Sequence, residues 1–257
     1  MRHFSLLQFV TLVRGPSSPS RISSWWGPLA IWAATLLPIS AIAGPTLFTD
    51  RMVFDGAVGS QIVDDYSTST YGWTTGNYVT LSDTDMSAAF GQTTYKVTVP
   101  AVQRPFSSNF VGATYLYDTD GAYCAGCNGS FQLGFLTTSI STSNGVFAVG
   151  LDIDYSLTNP TYHAFVTFGD GSILDYLLPT VFARDPTLFW GITSDLGIMS
   201  IHFGDDGGAP TQQGSLIIDN LTIASSAQVP EPTTFALLGL GIAGIGFTGR
   251  KKALSSH

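Results

Sequence analysis

Hydrophobic and polar residues alternate over short segments in the central part of the chain, and turns rich in Gly, Asn and Asp separate these segments. Alternation with a period of two, in segments rich in β-branched and aromatic residues, predicts β-strands. Helices of ordinary length are not predicted anywhere in this part. The predicted strands are Thr94–Val99, Phe110–Tyr117, Ser130–Leu136, Val146–Leu157, Tyr162–Phe168, Ser172–Leu178 and the segments FWGIT, IMSIHF and SLIIDNLTI.

The spacing of these strands predicts an all-β fold, a two-sheet β-sandwich that is jelly-roll-like. The turn Gly169-Asp170-Gly171 lies between two alternating segments and predicts a β-hairpin. Composition does not change and no repeat occurs between residues 44 and 228. We therefore predict one domain over residues 44–228.

The N-terminal segment has the composition of a secretory signal peptide. Three arginines, Arg2, Arg14 and Arg21, precede the apolar stretch Pro28–Gly44, which ends in the small-residue pattern Ala41-Ile42-Ala43. Because the stretch is short and contains proline, a signal peptide cleaved after Ala43 is favoured over an uncleaved membrane anchor. We therefore predict that residues 1–43 are the signal peptide. The positive region is unusually long, which leaves the true start codon open.

The charge of the central domain is strongly negative. Residues 44–228 contain 17 Asp and 4 Lys or Arg, a formal net charge of −13, whereas the whole chain carries −8. A basic surface for nucleic acid is therefore excluded. Calcium and neutral sugars stay open as ligands.

The C-terminal segment combines an extended motif, an apolar run and a basic cluster. Val229-Pro230-Glu231-Pro232 precedes Thr233–Thr248, which contains no charged residue, and Arg250, Lys251 and Lys252 follow. A helix of 16 residues spans about 24 Å, slightly less than a hydrocarbon core. Positive charge next to a membrane helix stays on the cytoplasmic side. The order of the three parts therefore predicts that the domain lies outside the cell's inner membrane, that a helix over residues 234–248 lies in that membrane, and that the basic tail over residues 250–252 lies inside.

This tail resembles the PEP-CTERM sorting signal of Gram-negative bacteria. The resemblance implies that an exosortase, a membrane cysteine protease, recognises Val229, Pro230, Glu231 and Pro232 and cuts near them. It also implies that residues 229–252 are the sorting signal and that the protein reaches the cell surface or extracellular matrix after a transient inner-membrane stage. The alternative is a plain C-terminal membrane anchor.

The block Val146–Ile223 is also similar to the body of many proteins that carry this signal. The shared segments are GVFAVGLDIDY, FGDGS, FWGITSD and a last strand with Ile218-Asp219-Asn220. This resemblance implies a sandwich like those of carbohydrate-binding modules and lectins, without a demonstrated activity.

The two cysteines, Cys124 and Cys127, form a CxxC pair in a Gly/Asn-rich loop. A zinc site needs further soft ligands, and a redox motif is expected at a helix N-terminus. In an exported protein a local disulfide is the favoured interpretation.

Aspartate clusters suggest calcium, although none of them has a complete EF-hand pattern. The resemblance to carbohydrate-binding modules implies a structural calcium at Asp219 on the last strand. Asp55, placed on an early strand, is the suggested partner if those strands pair. The alternative is that these aspartates are solvated side chains of turns.

Tyr71 and Trp73 lie in a Ser/Thr/Gly-rich stretch and are the candidate sugar-stacking rings, with burial in the core as the alternative. Trp190 is interpreted as a core residue. His163 and His202 lie on predicted strands and are interpreted as structural.

Known catalytic motifs such as a nucleophile elbow, HExxH or a P-loop are absent, and the domain contains no Glu for a typical glycosidase pair. The sequence therefore predicts a non-catalytic exopolysaccharide or biofilm protein that binds glycans, with exosortase and glycan as partners. The alternative is a polysaccharide hydrolase that uses Asp residues.

Overall fold

A computed structural model of the chain describes residues 44–98, 108–113, 121–125, 130–158, 162–181, 187–208 and 214–227. The chain divides into two compact units, Met1–Ser40 and Ala41–His257, and every described residue lies in the second. The signal peptide and the sorting tail predicted from the sequence lie outside the described residues, so the domain boundaries stay predictions.

None of the helices within the described ranges is long and apolar enough to cross a membrane. The membrane helix predicted over residues 234–248 falls outside those ranges.

Most described residues form strands, and the all-β prediction is confirmed. Three short helices, which the sequence did not predict, accompany the strands: α1 (Arg51–Ala57), α2 (Thr68–Tyr71) and α3 (Asp83–Phe90). The strands are β1 (Thr46–Phe48), β2 (Val58–Asp64), β3 (Tyr78–Leu81), β4 (Thr94–Val97), β5 (Asn109–Gly112), β6 (Ala122–Ala125), β7 (Phe131–Gly134), β8 (Val146–Thr158), β9 (His163–Phe168), β10 (Ile173–Leu177), β11 (Leu188–Gly204) and β12 (Gly214–Ser226).

All pairs between the described strands are antiparallel, and the long strand β11 takes part in two groups of them. Its first part, Leu188–Thr193, pairs with β8, and its last part, Ile198–Gly204, pairs with β9. We define the front layer as β10, β9, the last part of β11, β7 and β4, which are neighbours in this order. The back layer contains β1, the first part of β11, β8, β12, β2, β6, β5 and β3.

The sequence predicted two separate strands where β11 is continuous. Gly197 has a φ of +78°, and the register with β9 shifts between Ile198 and Ser200. A bulge of this kind bends a strand without ending it. It lets one strand contribute to both layers.

The inner surfaces of the two layers pack against each other. Tyr123 of β6 meets Phe131 of β7 with ring centroids 4.9 Å apart, although β6 and β7 do not pair. Trp190 from the first part of β11 meets Phe203 from its last part at 6.4 Å, and both are buried. The prediction that Trp190 lies in the core is confirmed. The finer comparison with a jelly roll stays a prediction.

Helix α1 begins at a capping residue and packs on the back layer. The Asp50 carboxylate accepts a hydrogen bond from the Val53 amide at 3.0 Å, which satisfies one free N–H of the first turn. Phe54 is the buried residue of the helix, and its ring lies 5.3 Å from that of Phe189. Such a helix of seven residues depends on this anchor, since short helices are marginal alone.

Candidate functional site

The outward side of the front layer carries the polar and aromatic groups that a ligand can reach. Along β9, Ala164, Val166 and Phe168 are buried, whereas His163, Phe165 and Thr167 are half-buried and point away from the core. The same alternation buries Phe131 and Leu133 of β7 and leaves Gln132 outside. We call this outward side the front face.

Three rings form a row across the front face. The Phe165 ring lies 5.9 Å from the His163 ring on the same strand, and the two planes differ by 14°. It also lies 6.0 Å from the His202 ring on β11, where His202 and Phe165 are register partners, with an angle of 31°. The His163 and Phe165 rings are therefore stacked with nearly parallel planes, and the His202 ring is tilted against Phe165.

Hydrogen bonds fix the polar groups beside this row. Nε2 of His202 lies 3.0 Å from Oγ1 of Thr98, which in turn lies 2.7 Å from Oγ of Ser130. The Gln132 amide donates to Oγ of Ser200 at 3.2 Å. Burial lowers the pKa of His202 below its usual value, so its imidazole is neutral at pH 7.

A depression of about 580 Å³ lies on this face. It is lined by Thr98, Gln132, Phe165, Thr167, Ile173, His202, Gly207 and Gly208. Its lining combines one half-buried aromatic ring, hydroxyls, an amide and a neutral imidazole. Such a surface suits a ligand that offers both apolar C–H groups and hydroxyls.

The sequence reasoning missed this surface, since His163 and His202 were interpreted as structural. The signal that reveals it is the alternation in YHAFVTF, which places His163, Phe165 and Thr167 on one side of a strand. The sequence predicts the hairpin of β9 with β10, but it does not show that β9 also pairs with β11 or which side of the layer faces solvent.

The two rings predicted to stack on sugars are buried. Tyr71 is 7% exposed, and its hydroxyl donates to Oδ2 of Asp64 at 2.6 Å. Trp73 is 4% exposed, and its Nε1 donates to the Tyr66 carbonyl at 2.7 Å. Neither ring presents a face to a ligand in this structure.

Asp219, the predicted calcium ligand, lies in an acidic group on the back layer. It is the register partner of Asp152, and Nδ2 of Asn220 donates to both carboxylates at 3.2 and 3.0 Å. Burial raises the pKa of Asp219 to about 8, with further upward contributions from Asp154, Asp152 and Asp65 and a downward one from the Asn220 amide.

Arg51 provides positive charge at the edge of this group. Its guanidinium lies 2.8 Å from Asp152 and also donates to the Asn220 carbonyl at 3.2 Å. Asp219, with a pKa of about 8, keeps its proton at pH 7, and loss of that proton would leave more carboxylate charge here than one guanidinium offsets. Oxygen donors with excess negative charge are the kind of ligand that calcium prefers.

The placement of Asp55 on an early strand is wrong. Asp55 lies in α1, is exposed, and accepts a hydrogen bond from Gln61 at 3.2 Å. The described strands that pair with β12 are β2, β6 and β8. The strand pairing that would have made Asp55 a partner of Asp219 is therefore not formed.

Cys124 is buried in β6. Its predicted partner Cys127 lies outside the described residues, and the disulfide stays a prediction.

Comparison with known families identifies the tail. A family model described as the PEP-CTERM protein-sorting motif matches residues 228–252. These residues are a PEP-CTERM sorting signal. The match includes Val229–Pro232 and Arg250–Lys252, the two parts on which the sequence prediction depended.

The PEP-CTERM signal implies a protein that is exported and sorted by an exosortase at the membrane. It begins two residues after Ser226, the last residue of β12, so the signal follows the final strand of the domain almost directly. No curated protein and no solved structure matches the chain.

Proposed function

We propose that the exported domain binds a neutral polysaccharide without cleaving it and belongs to an exopolysaccharide or biofilm matrix at the cell surface. The observation that carries this proposal is the row of His163, Phe165 and His202 on the front face. The PEP-CTERM signal supports the location, because an exosortase recognises it at the inner membrane in an exported chain.

The chemistry of the front face suits sugars. A pyranose ring has an apolar C–H face that packs on an aromatic ring and hydroxyls that need donors and acceptors at the edge. Phe165 offers the ring, while Thr98, Gln132 and neutral His202 offer polar groups already held by neighbouring side chains. Groups held in advance lose little conformational entropy on binding.

The charge of the domain favours a neutral glycan over an acidic one. Residues 44–228 carry a net charge of −13, and the potential of such a domain repels polyanions. Lys96 on β4 and the imidazoles are the basic groups that the front layer contributes among the described residues. We therefore propose uncharged hexose units as the preferred ligand.

The test is affinity electrophoresis and calorimetry of the exported protein with the host exopolysaccharide and with neutral glucans and galactans. We expect Phe165→Ala to weaken binding about tenfold or more, because the stacking surface is removed. The matched control is Phe110→Ala, since Phe110 is also half-buried but lies on β5 in the back layer. Its replacement should leave binding unchanged.

Equal binding by wild-type protein and Phe165→Ala would disprove the front face as the site. Release of reducing ends from any of these glycans, abolished by a single Asp→Asn change, would instead establish the hydrolase alternative. Both assays use the same protein samples, so the two functions are separated in one experiment.

A further inference from the structure

Three elements of the front layer bring metal-ligating atoms together at one end of β9. His163 begins β9, Asp175 lies on the neighbouring strand β10, and Asp206 begins the 3-10 turn after β11. One ligand atom from each residue lies within 4.8 Å of the corresponding atoms of the other two. Nδ1 of His163 and Oδ1 of Asp175 are 2.7 Å apart.

The turn that carries Asp206 has a conformation that needs glycine. Gly207 and Gly208 have φ values of +70° and +77°, which most L-residues avoid. The amide of Gly208 donates to the Asp205 carbonyl at 3.0 Å and closes the turn. This turn after β11 places the Asp206 carboxylate beside His163, which lies on β9.

The neighbouring residue Asp205 supplies a second observation. Its Oδ1 atom is buried and accepts no hydrogen bond from any residue in the described ranges. Asp205 as a whole is half-buried, so this one oxygen is an acceptor without a donor next to Asp206 that a cation could use.

We propose that His163, Asp175 and Asp206 bind a divalent transition metal, with Zn²⁺ as the preferred ion and Asp205 as an additional carboxylate next to it. Zinc accepts imidazole nitrogen and carboxylate oxygen in tetrahedral sites at about 2.1 Å, which puts ligand atoms about 3.4 Å apart. The atoms need only small rotations to reach this spacing, and both Asp175 and Asp206 are exposed enough to make them.

The donor set distinguishes this site from the predicted calcium at Asp219. Calcium prefers six to eight oxygen ligands, whereas an imidazole nitrogen suits zinc and its neighbours in the first transition row. Bound metal would tie together β9, β10 and the turn after β11. The site goes beyond glycan binding, and its existence does not depend on that proposal.

The experiment is calorimetric titration of ZnCl₂ into the exported protein, purified without a polyhistidine tag and freed of metal with EDTA. We expect one saturable site per chain. His163→Gln and Asp175→Asn should each weaken the affinity at least about tenfold, because each removes one ligand. Two controls should retain wild-type affinity. His202→Gln removes the other imidazole of the front face, and Asp170→Asn removes a carboxylate from the turn between β9 and β10.

Circular dichroism and thermal unfolding of each variant show whether it has folded, and X-ray absorption of the zinc-loaded wild-type protein supplies a second readout. The spectrum should show a single imidazole with oxygen ligands. Absence of saturable zinc binding, a spectrum without nitrogen, or an equal loss of affinity in the two controls would each overturn the proposal. Tight Ca²⁺ binding that His163→Gln abolishes would overturn the assignment to a transition metal.

Discussion

Tyr71 donates a 2.6 Å hydrogen bond from its hydroxyl to Oδ2 of Asp64, and both residues are buried beneath the back layer. The hydroxyl of Tyr95 donates to the same oxygen at 3.0 Å, and the Tyr66 amide donates to Oδ1 at 3.1 Å. Three donors satisfy one buried carboxylate, so this group stabilises the fold around β2 and β4. Tyr71, which the sequence suggests as a ligand-binding residue, instead donates a hydrogen bond to an internal acid.

This carboxylate makes stability depend on pH. Burial raises the pKa of Asp64 from 3.8 to about 6, although the hydrogen bonds from Tyr71, Tyr66 and Tyr95 oppose the shift. A carboxyl with a raised pKa binds its proton more tightly in the folded chain than in the unfolded chain. Its stabilising contribution is therefore complete below about pH 4 and is lost as the pH rises to about 6, by on the order of 3 kcal/mol.

We expect Asp64→Asn to remove this part of the pH dependence, because the amide is isosteric and cannot ionise. Urea unfolding of wild-type protein and variant between pH 4 and pH 7 measures the difference in unfolding free energy. Asp170→Asn is the control, since Asp170 lies in an exposed turn and its hydrogen bonds with Ser172 lower its pKa. A difference between wild type and Asp64→Asn that does not change with pH would contradict the assignment.

Gly150 and Gly191 allow α1 to lie on the back layer. They are register partners on β8 and β11, and a Cβ on Gly191 would come within 2.8 Å of the Phe189 ring and 2.9 Å of the Phe54 ring. Moving both packed rings away from the new methyl group would cost free energy of folding. We expect Gly191→Ala to lower the unfolding free energy by about 1–3 kcal/mol, measured by urea unfolding.

The matched control, Gly56→Ala, is expected to change the unfolding free energy in the opposite direction. Gly56 lies in α1, and a Cβ there would meet no atom within 4 Å. Alanine has the higher helix propensity, so Gly56→Ala should stabilise the protein by about 0.5–1 kcal/mol. Loss of stability in both variants would show that α1 does not pack as described.

Sequence patterning predicted the strands better than the helices, for physical reasons. The segment Val146–Leu157 begins with an apolar run and alternates from Leu151 onward, and the prediction nearly matches β8, which covers Val146–Thr158. Helix α3 was missed because eight residues give too short a repeat for a periodicity of 3.6. Its one visible signal was the capping pair Ser82 and Asp85, where the Ser82 hydroxyl accepts from the Asp85 amide at 3.1 Å.

The candidate sites show a similar division. The sorting signal was predictable because its chemistry is contiguous in the chain. The cluster of His163, Asp175 and Asp206 joins three elements and the front face joins more, and in both the proximity of the residues follows from strand pairing. The sequence does not predict the burial of Tyr71, because its hydrogen-bond partner Asp64 is a charged residue and charged residues usually lie at the surface.

Calcium should stabilise the domain through Asp219. The carboxyl groups of Asp152, Asp154 and Asp219 lie near one another, and a divalent cation that displaces the Asp219 proton and binds the folded state would raise the melting temperature. Binding requires Asn220 to release the Asp219 oxygens, which it now contacts through both its amides. At a calcium concentration of 100 times Kd we expect a rise of roughly 5–10 °C.

Differential scanning calorimetry with Ca²⁺ and with EGTA measures this shift. Asp219→Asn should abolish it, whereas Asp55→Asn should not, because Asp55 is exposed on α1 and bonded to Gln61. An equal shift in the Asp219→Asn protein would place the calcium elsewhere, and an absent shift in the wild type would disprove the site.

Processing of the tail should depend on Glu231. The match over residues 228–252 includes the two prolines that flank Glu231. Because proline favours an extended backbone, the sequence predicts that a protease can reach this motif. We expect Glu231→Ala to leave the chain uncut, with residues 235–252 still attached. The measurement is mass spectrometry of both termini of protein recovered from cells with and without their exosortase.

The control for this substitution is Gln228→Ala, one residue before the predicted motif, which should be cut normally. Wild-type protein should begin at Gly44 and end near Pro230–Pro232 only when the exosortase is present. A wild-type chain that still carries Lys252 in the presence of the enzyme would make the tail a plain membrane anchor. In that case the front face would meet its ligand in the periplasm, because the domain would never leave the inner membrane.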